Sequence, residues 1–177
     1  MKKQNSVRRL AFSALIAAVY AALTMALGFM SYAGIQFRVA EALCVLPFFF
    51  PCTTWGLFVG CIIANLLSPA GPLDIVFGSL ASLLCCLSVQ ALGSSGHYES
   101  WWRCIAACLC PVVFNAVIVG AVLAFTIAES GMGFGAAFAL FGAQVGFGEL
   151  VVMAVLGLPL IRKIPHMKLY SLLREKL

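Results

Sequence analysis

The stretch LAFSALIAAVYAALTMALGFM, Leu10 to Met30, contains no charged residue. A transmembrane helix needs about 20 mostly apolar residues to cross a hydrocarbon core roughly 30 Å thick, and this run is long enough. No convincing cleavage site separates it from the apolar sequence that follows, so we interpret it as a retained helix and not as a signal peptide. The chain is therefore expected to be an integral membrane protein.

The composition of the whole chain agrees with this interpretation. Hydrophobic residues make up 63% of the 177 residues and charged residues only 10%, and the mean hydropathy is +1.08. These values lie far outside the range of soluble globular domains. We expect a single membrane domain over residues 1–177.

The net charge of +5 does not indicate nucleic-acid binding, because the basic residues flank the apolar block. Most of them lie near the two chain ends: Lys2, Lys3, Arg8, Arg9, Arg162, Lys163, Lys168, Arg174 and Lys176. By the positive-inside rule both termini are cytoplasmic, which requires an even number of spans. Glycine, proline and charged residues divide the block into six helical segments, at about 10–30, 38–50, 53–68, 73–93, 102–128 and 134–161.

The eight cysteines do not form a recognisable metal or cofactor site. They lie within apolar runs, and no cysteine pair has a second pair or a histidine at zinc spacing. No phosphate-binding glycine loop, metalloprotease motif or nucleophile with a histidine partner is visible, so we expect no cofactor, no metal and no enzymatic activity.

Polar residues inside the apolar segments are few, and a charge near the membrane centre costs about 2.5–3.5 kcal/mol on insertion scales. They are Arg38, Glu41, Asn65, Asp74, Asn115, Gln144 and Glu149. Each requires a partner, a watery cavity or a function.

Structural and ligand-binding roles remain open for these residues. Arg38 and Glu41 are close enough along a helix to form a salt bridge, and a paired arginine still has hydrogen-bond donors to spare. Asp74 suits the first turn of a helix, where it faces the positive end of the dipole. Asn115 suits interhelical hydrogen bonding. Glu149 has no basic neighbour in sequence, which favours a ligand or a proton as its partner.

Together these side chains predict a pocket open to the outside. If Arg38 neutralises Glu41, the remaining acids leave the pocket negative, which suits a small cationic or donor-rich molecule. Small residues at helical spacing on the first segment, Ala14, Ala18 and Ala22, form a smooth stripe that is suited to close helix packing or to a partner subunit.

Three sequence blocks carry a family resemblance. They are GIQFRVAEALCVLPFFFP (34–51), GCIIANLLSP (60–69) and LDIVFGSLASLL (73–84). Over roughly Leu10 to Arg162 the chain resembles the QueT family of queuosine-precursor transporters, which are substrate-binding S components of energy-coupling factor (ECF) transporters.

The resemblance implies a bundle of six transmembrane helices in a prokaryotic plasma membrane, with both termini cytoplasmic. It implies capture of 7-aminomethyl-7-deazaguanine (prequeuosine-1), or a close analogue, from outside for ATP-driven uptake. The implied partners are an ECF module of two ATPase subunits and a transmembrane coupling protein, with Ala14, Ala18 and Ala22 as the docking face.

The resemblance also implies a set of site residues, since Gln36, Arg38, Glu41 and Asp74 match the family pattern. Cys44 departs from it, because a threonine is expected there and its hydroxyl contact is then lost.

Individual roles within this set are our hypothesis. Glu149 and Asn115 would bind the guanine-like edge of the ligand, and Asp74 or Glu41 would bind its ammonium group.

Further hypotheses concern the walls of the pocket. Arg38 would hold Glu41, Gln36 would assist from the outer loop, and Phe37, Tyr32 or Phe29 would stack on the ring.

Other functions fit the same residues. The chain would be an S component for another vitamin-like ligand, or a stand-alone proton-coupled carrier in which Glu149 titrates. A membrane enzyme is the weakest alternative, because no catalytic constellation is visible.

Overall fold

Helices account for all the regular structure in the part of the chain that the computed structural model describes, residues 2–31, 36–69, 71–94, 96, 98–128 and 132–176. In chain order they are α1 (Lys2–Ala26), α2 (Gly28–Ser31), a 3₁₀ helix (Val39–Phe48), α3 (Thr53–Asn65), a π-helical turn (Asp74–Gly78) that leads into α4 (Ser79–Gly93), α5 (Trp101–Ala128), α6 (Phe134–Val152), a second π-helical turn (Met153–Gly157), α7 (Leu158–Lys163), a short 3₁₀ turn (Ile164–His166) and α8 (Lys168–Lys176).

Four helical stretches are long and apolar enough to cross a membrane: Asn5–Ala26, Asp74–Gly93, Trp101–Thr126 and Phe134–His166. Two shorter apolar helices, Val39–Phe48 and Thr53–Asn65, accompany them. The prediction of an all-helical protein with several helices able to span a membrane is confirmed.

The 3₁₀ helix is the central element of the fold. It packs against α1, α3, α4, α5, α6 and α7, and most of its residues are buried. At about 2.0 Å per residue, its 10 residues extend over roughly 20 Å, whereas an α-helix of the same length would cover about 15 Å. The tighter winding therefore lets a short segment reach deep into the bundle.

This winding also aligns side chains three residues apart, so that Glu41 and Cys44 lie above one another. Pro47, inside the helix, has no backbone N–H to donate. Runs of 3₁₀ helix this long are uncommon, because their hydrogen-bond geometry is poorer than that of an α-helix. Contacts with the surrounding helices must therefore contribute to its stability.

Glycines allow the helices to approach closely. On α3, a Cβ atom at Gly60 would lie 2.7 Å from the Ala17 carbonyl oxygen of α1, and one at Gly56 would overlap the backbone of Ser13. On α6, Gly142 and Gly146 pack against Ala116 of α5. The α1–α3 and α5–α6 pairs therefore pack backbone against backbone.

Aromatic rings bring the start of α1 close to the carboxyl-terminal helix. The ring of Phe12 contacts Phe50, with 5.5 Å between centroids, and Tyr170 of α8 contacts both Phe49 and Phe50 at 5.5 and 5.7 Å. Tyr98 joins the same group through Phe48 and Phe49. We call Phe12, Phe48, Phe49, Phe50, Tyr98 and Tyr170 the aromatic end of the bundle.

We expect Gly60→Ala to lower the melting temperature of the detergent-purified protein, because its Cβ would force α1 and α3 apart. Gly135→Ala is the matched control: its Cβ would meet nothing within 4 Å, and alanine is favoured over glycine in helices by about 0.5–1 kcal/mol. Equal melting temperatures for the two variants would contradict the close α1–α3 packing.

Candidate functional site

Arg38 lies immediately before the 3₁₀ helix and is only 2% exposed. Its Nη2 donates a hydrogen bond to the side-chain oxygen of Asn65, at 2.6 Å, and lies 4.0 Å from the Cys61 sulfur. Its Nε has no hydrogen-bond partner among the described residues. The predicted salt bridge is not formed, since no ion pair joins Arg38 and Glu41 in the part of the chain that is described.

Asn65, the last residue of α3, links three parts of the chain through one amide group. Its oxygen accepts the hydrogen bond from Arg38, and its nitrogen donates to the Asp74 carbonyl oxygen at 3.0 Å. The same nitrogen lies 3.4 Å from the Cys61 sulfur, which in turn accepts from the Ser82 hydroxyl at 3.2 Å. Asn65 thus fixes the position of Arg38 relative to both α3 and the start of α4.

Asp74 begins the π-helical turn and is 4% exposed. Its carboxylate oxygen Oδ1 has no hydrogen-bond partner among the described residues. Gly78, one turn later, lies against it: a Cβ there would come within 2.5 Å of Oδ1 and 2.8 Å of the Asn65 amide nitrogen. The glycine of the LDIVFG block is therefore required for Asp74 and Asn65 to sit side by side.

Glu41 is fully buried in the 3₁₀ helix, with both carboxylate oxygens in contact with donors. The Tyr20 hydroxyl of α1 donates to one oxygen, and the Cys44 thiol donates to the other at 3.0 Å. Tyr20 is itself fully buried. Glu41 therefore ties α1 to the central helix.

Asn115 of α5 and Glu149 of α6 form a second buried pair. The Asn115 amide nitrogen donates to Glu149 Oε1 at 3.1 Å, and the two residues are 1% and 0% exposed. Glu149 Oε2 and Asn115 Oδ1 have no partner among the described residues. Glu149 immediately follows Gly148, which lies against the Gln36 carbonyl two residues before Arg38, so this pair lies next to the first group.

The segment before Arg38 is held against α6 next to this pair. Gly148 allows the contact, because a Cβ there would overlap the Gln36 carbonyl oxygen. The Phe37 N–H donates to the Met30 carbonyl at 3.0 Å, which attaches the same segment to the end of α2. Gln36 therefore contributes to the site through its backbone.

Four buried atoms of the site lack a hydrogen-bond partner among the described residues. Three are acceptors (Asp74 Oδ1, Asn115 Oδ1 and Glu149 Oε2) and one is a donor (Arg38 Nε). A buried polar atom without a partner costs about 1–3 kcal/mol, and more if it is charged. The site is thus chemically suited to a small molecule that is rich in hydrogen-bond donors and also has an acceptor.

The family comparison decides the kind of protein that carries this site. A family model described as QueT transporter matches residues 10–166. The chain belongs to the QueT transporter family. Membership makes it a membrane transport protein and confirms the resemblance noted in the three sequence blocks. No curated protein and no solved structure gives a significant match to the chain.

The matched region contains all the side chains of the candidate site, from Tyr20 to Glu149. Of the six charged or amide residues predicted for the site, Gln36 is half-buried, and the other five are buried: Arg38, Glu41, Asp74, Asn115 and Glu149. Of the aromatic residues, Phe37 is half-buried, Phe29 is 76% exposed, and Tyr32 lies outside the described residues. The ligand roles of all of them stay predictions.

Sequence reasoning gave no site role to Tyr20, Asn65 and Cys61. Tyr20 could have been identified from the sequence, because a tyrosine hydroxyl in an otherwise apolar run needs a hydrogen-bond partner when it is buried. Asn65 was recognised as an interior polar residue, but its partner Arg38 lies 27 residues earlier in the chain, and only the fold brings the two together. Cys61 looked like any other small apolar residue.

Asn65→Leu is expected to destabilise the protein by at least about 3 kcal/mol, because it leaves the buried Arg38 guanidinium without its amide partner. Arg38→Met combined with Asn65→Leu should cost less than the sum of the two single changes, since both polar partners are then removed. Melting temperatures of the four proteins in detergent test this, and strictly additive losses would contradict the Arg38–Asn65 coupling.

Proposed function

We propose that this QueT-family chain is the substrate-binding S component of an ECF-type importer, which captures prequeuosine-1 or a close analogue from outside the cell. We infer the ligand class from the buried atoms of the site that lack a hydrogen-bond partner among the described residues. Three of them are acceptors, on Asp74, Asn115 and Glu149, and one is the Arg38 Nε donor. The chain itself hydrolyses no ATP in this proposal; partner ATPase subunits do so.

The chemistry of a 7-aminomethyl-7-deazaguanine complements these atoms. Its ring presents an amide N–H and an exocyclic amino group along one edge, with a carbonyl oxygen beside them, and its side chain ends in an ammonium group. Glu149 and Asn115 supply acceptors for the N–H edge, and Arg38 supplies a donor for the carbonyl.

The hydrogen bonds of the two remaining acids favour Asp74 as the partner of the ammonium group. Both oxygens of Glu41 already accept hydrogen bonds, from Tyr20 and Cys44. One oxygen of Asp74 is unpartnered among the described residues. Glu41 then serves to hold α1 and the central helix in place around the ligand.

The proposed topology has six spans, formed by the four long helical stretches and the two short ones. The basic chain ends indicate that both termini are cytoplasmic, and the aromatic end supports this, because it joins α1 to α8. Arg38, Asn65 and Asp74 lie at the opposite ends of their segments, so the site faces the outside.

The proposed docking surface for the ECF coupling protein is the alanine face of α1. Ala14, Ala18 and Ala22 are all exposed, while Ala17, Tyr20 and Ala21 on the other face are buried. A smooth row of small side chains lets a second helix approach closely, which is what helix association within a membrane requires.

Calorimetric titration of the detergent-purified protein with prequeuosine-1, its 7-cyano analogue, guanine and riboflavin tests the ligand. Asp74→Asn should weaken prequeuosine-1 binding by about tenfold to a hundredfold, equal to 1.4–2.8 kcal/mol, but leave the cyano analogue unaffected because it has no ammonium group. Glu149→Gln should weaken both.

Glu175→Gln, an exposed acid on α8, is the matched control and should bind like the unchanged protein. Binding of another ligand alone would replace the deazaguanine in the proposal. No binding to any of them, with uptake that collapses with the proton gradient and needs no ATPase, would instead favour a proton-coupled carrier.

Ala18→Leu should abolish co-purification with the coupling protein and leave ligand affinity unchanged, because it roughens the docking face without touching the site. Ala143→Leu, the same change at an exposed position of α6, should preserve both properties. Normal assembly of the Ala18→Leu protein would exclude this face as the docking surface.

A further inference from the structure

Cys61 of α3 contacts several residues of the candidate site, although it takes no part in the proposed ligand contacts. It is fully buried. Its sulfur accepts hydrogen bonds from the Ser82 hydroxyl at 3.2 Å and from the Asn65 amide nitrogen at 3.4 Å. The Cys61 thiol itself donates to the Gly78 carbonyl oxygen, with 3.9 Å between the heavy atoms. The thiol group therefore joins α3 to the start of α4.

Both N–H groups of the Asn65 amide are engaged in hydrogen bonds. An asparagine side chain has two N–H donors on its nitrogen and acceptor capacity on its oxygen. The Asn65 nitrogen donates to the Asp74 backbone carbonyl at 3.0 Å and to the Cys61 sulfur at 3.4 Å, while its oxygen accepts from Arg38. The amide nitrogen therefore has no further hydrogen to donate to another acceptor.

A carboxylate oxygen without a partner lies next to this amide group. A Cβ atom at Gly78 would be 2.5 Å from Asp74 Oδ1 and 2.8 Å from the Asn65 nitrogen, so both atoms border the same small space. Asp74 Oδ1 nevertheless has no hydrogen-bond partner among the described residues, and the residue is only 4% exposed. A buried carboxylate oxygen is strongly stabilised by an N–H donor. The Cys61 sulfur engages the N–H that would otherwise turn towards this oxygen.

We propose that Cys61 is a positioning residue that determines the preference of the site for a ligand with an ammonium group. By accepting one N–H of Asn65, its sulfur keeps the amide group away from Asp74 Oδ1, which stays free to bind the ligand. Without the sulfur, the Asn65 amide turns to Asp74, and its N–H competes with the ammonium group for the same oxygen. This inference rests on the proposed function, in which Asp74 binds the ammonium group of prequeuosine-1.

Calorimetric titration of the detergent-purified Cys61→Ala protein with prequeuosine-1 and its 7-cyano analogue tests the inference. The affinity for prequeuosine-1 should fall about tenfold, whereas the affinity for the cyano analogue should stay unchanged, because this ligand has no ammonium group. Cys61→Ser should restore most of the lost affinity, since a hydroxyl group also accepts a hydrogen bond from Asn65. An equal loss for both ligands would indicate a merely structural role and overturn the inference, as would no loss for either.

Cys104→Ala is the matched control. Cys104 is also fully buried, and its thiol donates to the Tyr98 carbonyl oxygen at 3.7 Å, at the aromatic end of the bundle. This variant should bind both ligands like the unchanged protein. In an Asp74→Asn protein, Cys61→Ala should cause no further loss of prequeuosine-1 affinity, because the carboxylate on which Cys61 acts is already absent. A further tenfold loss there would show that Cys61 acts by another route and would contradict the inference.

Failure of the proposed function would give a different result from failure of this inference. If the unchanged protein binds neither ligand, the deazaguanine proposal is wrong, and melting temperatures then test the role of Cys61 separately. Cys61→Ala combined with Asn65→Leu should lower the melting temperature by less than the sum of the two single changes, because both remove the same hydrogen bond. Strictly additive losses would show that Cys61 does not hold the Asn65 amide and would overturn the inference.

Discussion

The hydrogen bond between Arg38 and Asn65 is the interaction on which the rest of the site depends. A guanidinium that is 2% exposed in an apolar bundle is tolerated only where polar partners surround it. Asn65 provides one of these partners and also donates to the backbone at Asp74. The need to satisfy one charge therefore brings together the start of the central helix, the end of α3 and the start of α4.

The 3₁₀ helix connects these local contacts to the rest of the bundle. Because it contacts helices on every side, a side chain that projects from it meets a different neighbour at each position. Glu41 reaches α1 through Tyr20, while Gln36, just before the helix, lies against Gly148 of α6. The site residues thus come from six elements (α1, the 3₁₀ helix, α3, the π-helical turn at Asp74, α5 and α6), and α1, α3, α5 and α6 all pack against the central helix.

Hydropathy predicted the membrane-spanning character of the chain, because an apolar stretch of sufficient length has few alternatives to a helix in a bilayer. It did not predict the 3₁₀ winding of Val39–Phe48 or the π-helical turn at Asp74, since both depend on contacts with distant helices. The rarity of interior charges made Arg38, Glu41, Asp74 and Glu149 visible as candidates. Their pairing was not visible: Arg38 and Glu41 are near in sequence, but Asn65 and Tyr20, far along the chain, bind them instead.

The two faces of α1 give this helix a special position. One face carries Tyr20, which holds Glu41 inside the site, and the other presents exposed alanines. Close contacts at Gly56 and Gly60 lock α1 to α3, and α3 ends in Asn65, the residue that holds Arg38. A movement of α1 therefore acts directly on Glu41, through Tyr20, and indirectly on Arg38, through α3 and Asn65. A partner helix that packs against the alanine face therefore contacts the helix whose other face, with Tyr20, holds Glu41 in the site.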